Sequence, residues 1–213
     1  MIGCQKLFAH RSGRVEFGRK SSGVEPPMDL RGISDTEKQI LVFSFYRDAE
    51  LRGARLLFNL IGHIKDADAQ VKTSKHLADE TRHAWLWTKR ITELGGAPVH
   101  FEDGYQRRLG LRTGVPKNVI DLLALTVVVE ERAQSRYNSH AALPGVDAGT
   151  RQVLKAVTDD EHWHLSWIEK KLREIARAQG EERRADEVLK RYRDIEREVY
   201  ATIAADEAEL MRS

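Results

Sequence analysis

The pentapeptides DETRH (79–83) and DEHWH (160–164) write one pattern, Asp-Glu-x-x-His, twice at an offset of 81 residues. On an α-helix, residues three apart lie side by side on one face. Glu80 and His83 therefore aim an oxygen and a nitrogen at one point, and Glu161 and His164 do the same. The offset reaches beyond the motif: Arg55 falls on Arg136, Asp66-Ala67 on Asp147-Ala148, and Lys89 on Lys170. Such matches concentrate on residues that can do chemistry. A chain that repeats this spacing is constrained to bring two similar helices face to face.

Gly and Pro punctuation locates those helices. Residues 1–33, with Gly3, Gly13, Gly18, Gly23, Pro26-Pro27 and Gly32, read as an irregular N-terminal arm. Ser34 and Glu37 form a capping box, opening a helix to about residue 63 in which Phe43, Tyr46, Leu57 and Ile61 recur at helical spacing. A second helix runs from about 67 to 94 and stops at Gly95-Gly96. The next twenty residues show no clear period and read as a connection, with Tyr105-Gln106-Arg107-Arg108 a polar loop. Pro116 suits the first turn of a third helix, to about 142, and a fourth ends at Gly180. Beyond it, Val188, Tyr192, Ile195, Val199, Ile203 and Leu210 stripe a charged, amphipathic helix. Two short-looped hairpins joined by a long crossover define an all-α, ferritin-like four-helix bundle with a long crossover over residues 34–180, plus an extra C-terminal helix over 181–213.

The other two bundle helices each carry a glutamate inside an apolar stripe. Glu50 lies on the first. On the third the choice is between Glu130 and Glu131. The 81-residue offset favours Glu131, which precedes Glu161 by 30 residues as Glu50 precedes Glu80. Its row, however, has less apolar bulk than the row Leu123, Val127, Glu130, Gln134, Tyr137, Ala141, and Glu130 shares with Glu50 an arginine two residues on (Arg132, Arg52) and a small residue three on (Ala133, Gly53). Glu130 is the preferred reading, and a one-residue difference between the turns reconciles the offsets. Four carboxylates and two imidazoles facing one core are the inventory of a dinuclear metal site. Unpaired, each ion would cost several kcal/mol; two divalent cations neutralise them, and this donor set suits iron or manganese. His76, two turns before His83, reads as packing or surface, and His162 as facing away.

These residues resemble the ferritin-like di-iron carboxylate superfamily over residues 36–178. DETRH matches the Asp-Glu-x-Arg-His motif of bacterial multicomponent monooxygenases; the second copy carries Trp163 where that motif has arginine. TVVVEERAQSRYN (126–138) is similar to the third helix of demethoxyubiquinone hydroxylases, where the first glutamate of the pair is the ligand, and DEHWHL (160–165) to the fourth helix of aldehyde-deformylating oxygenases. The resemblance implies Glu50, Glu80, His83, Glu130, Glu161 and His164 as ligands of two iron ions, or of a manganese–iron pair. It also implies Asp79 and Asp160 as acceptors for the opposite histidines, and Tyr137 as a hydrogen-bond donor or redox group near the metals. Trp85, Trp87, Trp163 and Trp167 read as packing. Two activities follow: a di-iron oxygenase or oxidase activating dioxygen to oxidise or hydroxylate a partly apolar small molecule, and, as the alternative, a ferroxidase or iron-storage protein oxidising ferrous iron.

Composition narrows the partners. Net charge is only +2, from 35 basic and 33 acidic residues, which gives no strong electrostatic footprint for nucleic acid, and none is expected as a partner. Lys6, Arg11, Arg14, Arg19 and Lys20 cluster in the arm without the apolar stretch of a secretory signal, and read as a solvated tail. The best apolar run, LLALTVVV (122–129), is too short to span a bilayer. The single cysteine, Cys4, excludes an internal disulfide and a Cys-x-x-Cys electron carrier, so electrons would come from an external donor or the substrate. A reducing, cytoplasmic setting is consistent with this. The amphipathic last helix could cap the bundle or pair two copies as a homodimer.

Overall fold

The computed structural model describes residues 35–101 and 103–212. The expected N-terminal arm and the capping serine, Ser34, lie outside them. The helices are α1 (Asp35–Ile61), α2 (Ala67–Glu93), α3 (Tyr105–Thr113), α4 (Val119–Ala141), α5 (Ala148–Gln179) and α6 (Glu182–Arg212), and the described residues contain no strand.

The repeated Asp-Ala pairs mark the starts of equivalent helices. Asp66 accepts the Ala69 N–H at 2.8 Å to cap α2, and Asp147 accepts the Thr150 N–H at 3.0 Å to cap α5. Each side chain satisfies a backbone donor that the first helical turn leaves free. The connection inside the first hairpin is residues 62–66 and that inside the second 142–147, five residues against six. That extra residue is what shifts α4 by one position against the 81-residue frame. α5 stops at Gly180, whose φ of 66° is left-handed.

Two expectations need correction. Tyr105-Gln106-Arg107-Arg108 is not a loop but the first turn of α3, nine residues long, with Tyr105, Leu109 and Thr113 buried on one face. So short a helix gets its stability from tertiary packing, which leaves little periodic signal. Pro116 does not open α4 either; Asn118 caps that helix by accepting the Asp121 N–H at 3.0 Å, so the helix starts at Val119.

α6 lies against α4, α3 and α5. Ala185, Leu189, Tyr192, Val199 and Ile203 are its buried apolar residues, while Val188 and Ile195 of the expected stripe are half-buried; the Leu210 side chain lies outside the described residues. Glu196 interrupts this stripe, buried and clasped by Arg132 through two bonds of 2.6 and 2.8 Å. No helix among the described residues is long and apolar enough to cross a membrane.

The core falls into two apolar clusters. One gathers Phe43, Tyr46, Trp87, Ile91, Tyr137, Leu154 and Val157; the other includes Leu57, Leu60, Leu123, Val127, Ile168 and Leu172 and continues into α6. Along α1, α2, α4 and α5 alike, buried charged residues fall between the segments that supply the two clusters. A polar layer thus crosses the bundle between two dry ones.

Candidate metal centre

Seven titratable side chains occupy that layer: Glu50 from α1; His76, Glu80 and His83 from α2; Glu130 from α4; Glu161 and His164 from α5. None is more than 4% exposed. Their donor atoms form two groups sharing Glu80. One group is Glu50, Glu80, His83 and Glu161, the other His76, Glu80, Glu130 and His164, and within each the atoms lie within 4.8 Å of one another. All six residues proposed from the sequence are therefore brought together. Glu131, the less favoured of the two α4 candidates, points away and is held by Arg193 of α6 at 2.9 and 3.1 Å.

The imidazoles are oriented from behind. His83 faces Glu50 and Glu161 with Nδ1, at 3.4 and 3.5 Å, while its Nε2 meets Asp160 at 3.1 Å. His164 mirrors it, with Nδ1 3.7 Å from both Glu80 and Glu161 and Nε2 3.2 Å from Asp79. Each aspartate thus reaches across to the histidine of the other motif. An acceptor at Nε2 fixes the proton there and leaves Nδ1 free to bind a cation. Arg82 bonds Asp160. In the second copy, where Trp163 replaces arginine, Lys75 supplies the charge: its ammonium lies 2.5 Å from Asp79 and 4.2 Å over the Trp163 ring. Tyr137 donates its hydroxyl hydrogen to Glu50.

The electrostatics without metal are strained in a consistent direction. Burial, then the charges of Glu50, Glu130 and Glu161, push the Glu80 carboxyl well above the ordinary carboxylate range. Burial opposes the charge on His83, but Glu161 and Glu50 overcome it and raise its pKa to about 11. Burial also raises Glu161, yet the facing imidazoles of His164 and His83 bring it below its ordinary value. Tyr137 is driven well up, first by burial and then by Glu50, so its hydroxyl stays protonated. Protons do the neutralising that cations would otherwise do.

Hydrogen-bond accounting tests whether a metal fits. Buried polar atoms are nearly always bonded. Among the described residues, both nitrogens of His76, Nδ1 of His83 and of His164 and both oxygens of Glu161 have no hydrogen-bond partner. Orphans converging from several helices, in a donor set of carboxylate and imidazole, fit iron or manganese. The backbone makes room as well: a β-carbon on Gly53 would lie 3.3 Å from Cδ of Glu80 and closer still to its Oε2. Beside the cluster is a cavity of about 30 Å³ lined by Ala49, Glu50, Gln106, Val129, Glu130 and Tyr137, among others.

Sequence reading missed His76. It is fully buried, with Nε2 3.1 Å from Glu130 and 3.4 Å from Glu80 and its ring stacked on His164 at 3.6 Å between centroids. The signal was there: His76, Glu80 and His83 stand at spacings of four and three on one helical face. His162, by contrast, is exposed. Trp87 and Trp167 are buried, Trp163 is half-buried and Trp85 is 61% exposed, which fits packing for all but the last.

A family model described as the ferritin-like domain matches residues 68–178, just over half of the chain. No curated protein matches it. Among solved structures, the bacterioferritin-related protein from Bacteroides fragilis, described as a dodecameric thioferritin, aligns over 71% of this chain and 94% of its own, with a TM-score of 0.56 and 23% identity. At that identity the likeness speaks for the fold alone.

Proposed function

The chain belongs to the ferritin-like domain family, and on that footing we propose that its buried cluster is a dinuclear iron centre that oxidises ferrous iron with dioxygen. Glu50, Glu80, His83, Glu130, Glu161 and His164 would hold the ions. Glu80 and Glu161 each face donors of both groups, so either carboxylate could serve both positions. Two ferrous ions give up two electrons, which dioxygen takes with two protons to leave hydrogen peroxide and two ferric ions. The protein's part is to hold this geometry. Asp79 and Asp160 keep Nδ1 of His164 and His83 turned inward. Tyr137 fixes Glu50 with a proton it does not lose at ordinary pH. The apolar clusters on either side exclude bulk water.

The observation that carries this reading is the size of the cavity. At about 30 Å³ it has room for about two water-sized molecules, which suffices for dioxygen. The fold of a thioferritin in the structural neighbour supports it too. Oxidation of a partly apolar organic substrate is the second reading. It is favoured by the cover that α3 brings to the cavity: Tyr105 and Gln106 of that helix line it together with Arg132 of α4, and among the described residues the Gln106 side chain makes one hydrogen bond, 2.8 Å to the Ala49 carbonyl. Swinging Gln106 out would enlarge the space. That activity would need an external reductant.

Anaerobic loading of the metal-free protein with ferrous iron, followed by oxygen-electrode recording, separates the readings. A ferroxidase consumes roughly one dioxygen per two ferrous ions added and then stops. An oxygenase, given a reductant and an organic substrate, continues without added iron. A protein that binds no iron after chelation and reconstitution refutes both. Size exclusion adds a check, because storage requires a closed multi-subunit shell.

A further inference from the structure

We propose that His76 is a seventh metal ligand, binding through Nε2 to the ion on the His164 side and making the two metal positions chemically unequal. This rests on the dinuclear reading above and concerns one side chain that the repeat does not account for.

The distances come first. Two donors in neighbouring positions around an ion, with bonds of about 2.1 Å, stand about 3.0 Å apart. His76 Nε2 lies 3.1 Å from Glu130 Oε1 and 3.4 Å from Glu80 Oε1. Nδ1 of His164 is farther from the same two carboxylates, at 3.9 and 3.7 Å. By proximity His76 is the better placed of the two.

The bonding pattern comes second. A buried histidine kept only for packing normally satisfies at least one ring nitrogen. His76 satisfies neither, although a carboxylate oxygen is within 3.1 Å of one of them. The two groups approach closely without the alignment of a hydrogen bond. Two lone-pair donors turned toward a shared third point have this arrangement. Packing accounts for the ring's orientation, with His164 stacked on one face and Trp167 and Trp163 edge-on at 5.8 and 6.4 Å.

The third argument is asymmetry. Shifted by the 81-residue offset, His76 falls on Val157, which is buried in an apolar cluster. The Glu50–His83 position therefore has one imidazole and the Glu130–His164 position two. Imidazole binds the later first-row divalent metals more strongly than carboxylate does, so the His76 side fills first and releases its ion last.

The test uses cobalt(II) alone, added anaerobically to the metal-free full-length chain. Affinity is followed by visible absorption and calorimetry, and ligand identity by proton NMR. The wild type is expected to bind two ions in steps at least tenfold apart. It should also show three hyperfine-shifted, exchangeable imidazole N–H resonances, one for each histidine. His76→Gln should remove one resonance and weaken the first step by about 10- to 100-fold. His83→Gln should remove a different resonance and weaken the second step. Two resonances in the wild type, or a His76→Gln protein with unchanged affinities, overturn the assignment and leave the dinuclear reading standing. No cobalt bound by the wild type overturns both. The wild-type resonance count decides even if a variant fails to fold.

Discussion

Gly53 stands in the interior of α1, where glycine is costly, and the reason lies on α2. A methyl group there would press on the Glu80 carboxylate, 3.3 Å from Cδ and inside contact distance of Oε2. Gly53→Ala should therefore act with opposite signs on two measurable quantities. Replacing a helix-interior glycine by alanine is worth about 0.8–1.0 kcal/mol. Against this, the Glu80 carboxyl must withdraw by roughly 1 Å to restore an ordinary carbon–oxygen contact near 3.5 Å. In the metal-free protein that carboxyl sits at the end of a flexible chain, so the shift cancels only part of the gain. The expected melting temperature is unchanged or raised by up to about 4 °C, since 1 kcal/mol moves a domain of this size by about 2–4 °C.

Metal binding should move the other way. Glu80 is the carboxylate common to both donor groups, so its displacement loosens both positions. A loss of about 10- to 100-fold per ion is expected, on the scale of a disturbed ligand shell, or about 1.4–2.8 kcal/mol each. Differential scanning calorimetry in chelator and anaerobic ferrous titration read the two halves separately. Unchanged affinity together with a raised melting point would show that Glu80 holds no metal. A metal-free variant destabilised by more than about 1 kcal/mol would show instead that Gly53 serves helix packing, and the reasoning from Glu80 would be wrong.

Glu130→Gln should reduce bound iron to one ion or none, whereas Glu131→Gln, which removes only the Arg193 pair, should leave stoichiometry intact by elemental analysis. Because the folded-state pKa of His83 is raised to about 11, its contribution to metal-free stability is full below pH 6.5 and is lost as pH rises through about 11. Glu80 has the same sign, full below pH 4.5 and lost as pH rises through its elevated value. Metal-free stability from these groups should thus fall with rising pH while metal affinity climbs, with one to two protons released near pH 7. Calorimetry in buffers of different ionisation enthalpy counts those protons, and zero release would refute the electrostatic account. Glu196→Ala leaves Arg132 partly buried without its partner and should cost about 3 kcal/mol in urea unfolding. Asp147→Ala removes the α5 cap and the Arg90 pair at 2.8 Å, for about 1–2 kcal/mol by the same assay.

The parts of the site that could be read in advance were those with a helical spacing and a partner in the other half. Glu80–His83 and Glu161–His164 met both conditions. Glu130 was separable from Glu131 because a carboxylate inside an apolar row has to face the core, and the structure gives the reason the offset misled: the second hairpin's connection is one residue longer. α3 was hidden because nine residues carry too few turns for a period, and its three buried residues make sense only once α6 is packed over them. Glu196 looked like one charge among many on a charged helix. Its burial depends on Arg132, more than sixty residues away. His76 lacked a counterpart, so an argument from repetition passed over it.

Two departures from the repeat belong together. His76 replaces the valine found at 157, and Trp163 replaces the arginine found at 82. In space Trp163 stands edge-on to His76, and an arginine in its place would bring a fixed positive charge toward that imidazole. Asp79 still needs a cationic partner, since it orients His164, and Lys75 meets that need from one turn before Asp79 on α2, its ammonium seated over the tryptophan ring. The charge that Arg82 supplies in the first motif thus comes in the second from a residue outside the motif. Trp163 is left as an uncharged wall beside the extra imidazole. The two halves of the site have in common the shared carboxylate and the crossed aspartate–histidine pairs, and differ around the histidine that would make its two ions unlike.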